Sequence, residues 1–142
     1  MGRPAVDFLI PLLKEPDDEV RWEVAKALSE IADPRVAYDL AATLLDHNFG
    51  IRWVAAEALI AIGRDSLVPV LQKLTERPDS SWLRRGAHHV LHDLAKKDPA
   101  VQETVKEALA ALEGFEPEIG VLGPAYTALE RLRTSHSWSH KA

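Results

Sequence analysis

The stretch Val20-Arg21-Trp22-Glu23-Val24-Ala25-Lys26-Ala27-Leu28 returns 31 residues later as Ile51-Arg52-Trp53-Val54-Ala55-Ala56-Glu57-Ala58-Leu59. After a further 32 residues it returns as Leu83-Arg84-Arg85-Gly86-Ala87-His88-His89-Val90-Leu91. In each copy apolar residues fall at i, i+4, i+8 and i+11. The first copy has Val20, Val24, Leu28 and Ile31, the second Ile51, Ala55, Leu59 and Ile62, and the third Leu83, Ala87, Leu91 and Leu94. This spacing is one stripe of an amphipathic helix, with alanines beside it that allow close packing. A repeat of about 32 residues calls for stacked supersecondary units that bury their apolar faces on one another.

Working outward, Arg3-Pro4, Asp33-Pro34, Asp65-Ser66 and Asp98-Pro99 recur with the same period. An Asp before Pro starts a helix because its carboxylate accepts a free backbone N–H and Pro tolerates the first turn. These starts predict first helices over residues 4–14, 34–46, 66–76 and 99–113, each followed by a turn and a striped second helix. The turns at 14–18, 46–50 and 77–81 are rich in Pro, Asp, Asn, Gly and Ser. No segment alternates with β-branched enrichment, so no strand is expected.

A fourth second helix is predicted over 118–133, with Val121, Ala125, Leu129 and Leu132 on its stripe. It starts 38 residues after its predecessor, carries Gly120, Gly123 and Pro124, and lacks the Arg, which suits a terminal cap. Residues 134–142 have no stripe and are expected to be loose. The reading is all-α: a right-handed α-solenoid of about four helix-turn-helix units, at 3–32, 33–64, 65–97 and 98–133, in one domain of residues 1–133.

The chain has 142 residues, no cysteine, and 17 Lys and Arg against 22 Asp and Glu. Disulfides, thiolate metal sites and cysteine nucleophiles are excluded. No apolar run reaches the roughly 18 residues of a membrane span, and Met1-Gly2-Arg3-Pro4 leads into acidic sequence, so a soluble, cytoplasmic protein is expected. The net charge of −5 argues against nucleic acid as a partner. Lys73, Arg77, Arg84, Arg85, Lys96 and Lys97 form a basic segment, read as a solvated face because binding needs several phosphate contacts on one surface.

Apolar-Arg-x-x-Ala/Val-Ala-x-Ala-Leu-x-x-Ile after an Asp-bearing turn resembles the HEAT-like repeat of bacterial phycobilin-lyase-type proteins, over the chain up to about Arg133. The resemblance implies a structural ladder between neighbouring repeats, with Asp17, Asp46 and Asp79 facing Arg21, Arg52 and Arg84. It also implies that the second helices line a concave groove. Positions offset from the core stripe would then form three rungs: Trp22, Lys26 and Ser29; Trp53, Glu57 and Ile60; Arg85, His89 and His92. Two readings of the tryptophans stand side by side. They are outer core between repeats, or they are anchors of an aromatic and Arg-lined recognition surface.

His88-His89 and His92-Asp93 have i, i+4 spacings that hold metals on helices. Yet His88 aligns with Ala25 and Ala56 beside the core stripe, which suits a hydrogen-bonded packing residue, and no third ligand follows from the sequence. Deoxyhypusine hydroxylase, a di-iron enzyme of similar repeats, carries His-Glu where this chain has Trp22-Glu23, Trp53-Val54 and Arg85-Gly86. No Ser-His-Asp spacing, phosphate loop or carboxylate pair appears, and Gly120-Val121-Leu122-Gly123 lacks the lysine and strand of a phosphate loop. The expectation is a non-enzymatic scaffold with no catalytic residue, metal or cofactor. It would bind a protein or peptide through Trp22, Lys26, Trp53, Glu57, Arg85, His89 and His92. The alternative is a lyase- or chaperone-like subunit handling a bilin or a cofactor protein.

Overall fold

Short polar side chains set where the helices begin. Asp17 accepts the Glu19 N–H and caps α2 (Asp18–Ile31). Asn48 does the same for α4 (Phe49–Ile62) through the Ile51 N–H, and Ser80 for α6 (Ser81–Lys97) through the Leu83 N–H. Each cap satisfies a backbone donor that the helix leaves free. Positions 17, 48 and 80 keep the spacing of the sequence repeat, so equivalent residues of the three second helices are fixed from their caps onward. The far ends correspond too: Ala32 closes α2 at φ +54° and Gly63 closes α4 at φ +91°, a left-handed backbone that Gly adopts freely.

A computed structural model describes residues 3–134. The first helices of the first three units are shorter than expected and begin or end in 3₁₀ turns, whereas the fourth spans the expected 99–113. α1 (Arg3–Leu9) runs into a turn at Ile10–Lys14, and turns at Pro34–Val36 and Gly63–Ser66 lead into α3 (Ala37–Thr43) and α5 (Leu67–Glu76). Asp33 and Asp98 accept N–H groups as expected, and Asp98 starts α7 (Pro99–Glu113). Asp65 does not cap; it lies inside its 3₁₀ turn, while Ser66 donates to the Leu59 carbonyl in the core. The helix expected over 118–133 is broken into α8 (Pro117–Gly120) and α9 (Leu122–Thr134). Thr134 is the last residue of α9, its hydroxyl bonded to the Glu130 carbonyl, so it is not tail. The looseness expected for 135–142 concerns residues outside those described. Among the described residues there is no strand.

One apolar core runs from Val6 to Leu132 and contains the predicted stripes, with Val24, Leu28, Ala55, Leu59, Ala87 and Leu91 buried. Neighbouring second helices pack side by side, α2 on α4 and α4 on α6, with α3 and α5 behind them. The last pair changes places. α7 packs along α6, and α9 makes its main contacts with α5 and α7, so α9 extends the layer of first helices. The connection explains the exchange. The two earlier links pass through a 3₁₀ turn that carries the chain back to the first-helix layer, whereas Asp98 alone joins α6 to α7, which folds straight back.

The turn inside each of the first three units is closed by the arginine four residues after the cap. Arg21 Nη1 donates to the Glu15 carbonyl at 2.7 Å, Arg52 Nη1 to the Asp46 carbonyl at 2.8 Å, and Arg84 Nη1 to the Pro78 carbonyl at 2.7 Å. In every case the acceptor lies six residues upstream. The expected carboxylate ladder forms at one rung only. Arg21 is buried and meets Asp46 of the next unit through Nε at 2.8 Å and Nη2 at 3.2 Å, with Asp18 as a further partner. Asp46 stands two residues before its cap; Asp17 is a cap itself, and Asp79 stands one residue before Ser80 and pairs with Arg77. The place that would face Arg52 is held by Pro78, which has no carboxylate.

Arg21→Ala strands Asp46, whose side chain is only 10 % exposed. The expected cost is about 3–5 kcal/mol. Arg84→Ala removes one hydrogen bond to a carbonyl and is expected to cost about 1 kcal/mol. Urea unfolding of both variants checks the contrast; equal losses contradict the buried rung.

Several carboxyls are held below their ordinary values: Asp18 by hydrogen bonds from Asn48 and then Arg21, Asp98 by Arg64, Asp79 by Arg77 and Glu107 by Arg131. A depressed folded-state pKa adds stability that is complete above the ordinary values of 3.8 for Asp and 4.5 for Glu. That stability is lost as pH falls through the lower folded values. The melting temperature is therefore expected to fall on acidification below about pH 4, and a rise there would contradict these pairs.

Candidate functional site

Because the three caps keep one spacing, the residues five places after them, Trp22, Trp53 and Arg85, come to corresponding points on α2, α4 and α6. The environments of the two tryptophans nevertheless differ. Next to Trp22 stands Gly50, and a methyl group there would already sit 3.8 Å from Cδ1 and Nε1 of the indole. The missing side chain lets Trp22 lie against the start of α4. In the following interval the place of Gly50 is taken by Trp82. Trp53 stacks instead on His89, with ring centroids 4.9 Å apart and planes inclined by 18°. Exposure follows this difference, at 37 % for Trp22, 50 % for Trp53, 42 % for Trp82 and 70 % for Phe49.

The result is a cleft of about 160 Å³ between α4 and α6, walled by Phe49, Arg52, Trp53, Trp82, Arg85 and His89, with Ala56 and Gly86 also lining it. Gly86 allows close packing, since a Cβ there would come within 2.9 Å of Cδ2 of the fully buried Leu44, which would have to shift. The Arg52 guanidinium lies over the Trp82 ring at 4.4 Å and reaches the Phe49 ring at 5.7 Å. A cation over an aromatic face is attracted by the ring quadrupole. Its partner is thus an indole where Arg21 has a carboxylate. His89 Nε2 lies 2.8 Å from Glu57 Oε2, which ties the two helices together below the stack. Among the described residues Arg85 has no ion pair, hydrogen bond or ring contact.

Of the residues singled out in the sequence, Trp53, Glu57, Arg85 and His89 are thus brought together. Trp22 and Lys26 lie one interval away, the Lys26 ammonium 6.0 Å from the Trp22 ring and 3.5 Å from Glu30. Ser29 bonds the Lys26 carbonyl, and Ile60 packs against the core. His92 is not part of the cleft; it stacks on His88 at 5.6 Å, and His88 Nε2 reaches Glu113 Oε2 of α7 at 2.7 Å. Among the described residues no three His, Asp or Glu side chains are grouped so as to hold a metal ion. Phe49, Arg52 and Trp82 are the cleft residues that the stripe count misses. Arg52 had been assigned to the ladder, and Trp82 precedes the third stripe; its signal is the Gly50-to-Trp82 change at one repeat position.

The chain matches the family described as HEAT repeats over residues 6–92. That span runs from within α1 through most of α6, includes every residue of the cleft, and ends before the exchanged pair. Comparison with curated proteins and with solved structures gives no match.

A half-exposed Trp53 held by one stack contributes less than a core tryptophan. Trp53→Ala is expected to cost about 1–2 kcal/mol, against about 3–5 kcal/mol for a buried one. Urea unfolding measures this, and a loss in the higher range would return Trp53 to the outer core.

Proposed function

The chain belongs to the HEAT-repeat family, and we propose that it is a non-enzymatic interaction module that seats a protein or peptide on its second helices. HEAT repeats commonly mediate protein–protein contacts, and among the described residues no helix is long and apolar enough to cross a membrane. In this reading residues 1–133 form one cytoplasmic domain, a right-handed solenoid of about four units whose second helices line the concave face and whose last unit closes the stack. The exchanged α7 and α9 suit that closing role, because a terminal unit must meet water on one side.

The observation that carries the proposal is the cleft between α4 and α6. It gathers half-exposed aromatic rings and arginines, the side chains over-represented at binding hot spots. Its volume of about 160 Å³ is well below the roughly 300–1,000 Å³ of sites that enclose a small molecule. That favours one anchoring side chain of a partner over a bilin.

Replacing Trp53 with a photo-cross-linking aromatic residue in the native host and sequencing the adducts identifies the partner. With that partner purified, Trp53→Ala is expected to weaken binding by about 2 kcal/mol or more, while Trp22→Ala, one interval away, has a smaller effect. Unchanged affinity in folded Trp53→Ala protein would remove the cleft from the interface.

A further inference from the structure

Six of the nine arginines whose side chains are described are engaged by carboxylates. Arg21, Arg35, Arg64, Arg77, Arg131 and Arg133 each lie within ion-pair distance of an Asp or Glu. Among the other described arginine side chains, Arg52, Arg84 and Arg85, none has a carboxylate within 4.0 Å. These three are also neighbours in space. Arg52 and Arg85 wall the cleft, and Arg84 and Arg85 line the adjoining hollow between α6 and α7. In a chain of net charge −5, cations left over in one place beside exposed aromatic rings are an uncompensated feature.

We infer, resting on the peptide-binding reading above, that the cleft selects a partner segment in which a large apolar side chain is flanked by Asp or Glu. The apolar group fits between Trp53 and Trp82, a space sized for one side chain. The neighbouring carboxylates meet Arg85 and the free edge of Arg52, whose ring-facing side is covered by Trp82. Guanidinium binds carboxylate in a two-pronged geometry that Lys cannot copy. Acidic groups of the chain itself do not fill this role: Glu57 is held by His89, Glu113 by His88 and Asp79 by Arg77. Nucleic acid fits less well, because its affinity comes from many phosphate contacts spread along a basic surface. Here the described arginines without a carboxylate are few, two at the cleft and one in the hollow beside it, on a protein of net charge −5.

A library of random peptides selected against the full chain tests this, with affinities of enriched peptides measured by the fluorescence of the cleft tryptophans. Among the described residues Arg85 makes no ion pair, hydrogen bond or ring contact, so Arg85→Ala is expected to keep the wild-type melting temperature. The expected result is enrichment of Asp or Glu beside a large apolar residue, with affinity falling at least about tenfold in Arg85→Ala and further in Arg85→Glu. Peptides that need Trp53 but show no acidic enrichment and no Arg85 dependence would overturn the charge selection and leave the interaction module standing. Failure to enrich any peptide that depends on Trp53 or Trp82 would overturn both. Tighter, Arg85-dependent binding of a single-stranded oligonucleotide would overturn the peptide assignment in favour of nucleic acid.

Discussion

An arginine four residues into the second helix of each of the first three units, donating to a carbonyl six residues upstream, is the contact on which the arrangement rests. It closes the turn between two helices, and it does so at Arg21, Arg52 and Arg84 with nearly the same distance. A turn held in this way delivers the following helix with its stripe already facing the core. The alanines beside the stripe then let the next helix approach. A guanidinium has donors to spare after this bond, and what they meet varies from unit to unit. Arg21 meets Asp46 and becomes a buried joint between units. Arg52 meets the face of Trp82 and becomes one wall of a cleft.

Two replacements at repeat positions account for the cleft. Pro78 stands where Asp46 stands one unit earlier, so no carboxylate reaches Arg52. Trp82 stands where Gly50 stood, so the neighbouring indole cannot lie against the helix start as Trp22 does. The first interval is thereby sealed by an ion pair and a flat tryptophan, and the second is opened between two tryptophans. One repeat position thus holds a buried ion pair in the first interval, at Arg21, and a wall of the cleft in the second, at Arg52. His89 and Glu57 hold the open interval together beside the cleft, so the rings are presented on a fixed frame.

The end of the stack obeys a different constraint. A single residue between α6 and α7 leaves no room for the 3₁₀ turn that sends earlier first helices behind the layer. α7 therefore covers the flank of α6, and α9 covers α5. The His88–Glu113 contact follows from that placement, beside the i, i+4 stack of His88 on His92 within α6. Of the two imidazoles spaced i, i+4 on α6, His88 is the one that reaches across to α7.

Helix content, the period and the buried stripes were legible from the chain alone, because each depends on residues within one or two turns of each other. Caps at 17, 48 and 80, the apolar stripe and the arginine position are local, and local chemistry repeats when residues repeat. That Trp53 on one second helix and Arg85 and His89 on the next occupy positions offset from the stripe was legible for the same reason. What only the tertiary structure decided are matters of what stands across a gap. Arg21 and Asp46 lie 25 residues apart and Arg64 and Asp98 34, and whether an arginine finds a carboxylate, a carbonyl or an indole depends on a shift of one position in the facing turn. The layer that receives α7 and α9 depends on the length of one link. A periodic sequence states which face of each helix is buried; the partners of the remaining faces are set only when the helices are side by side.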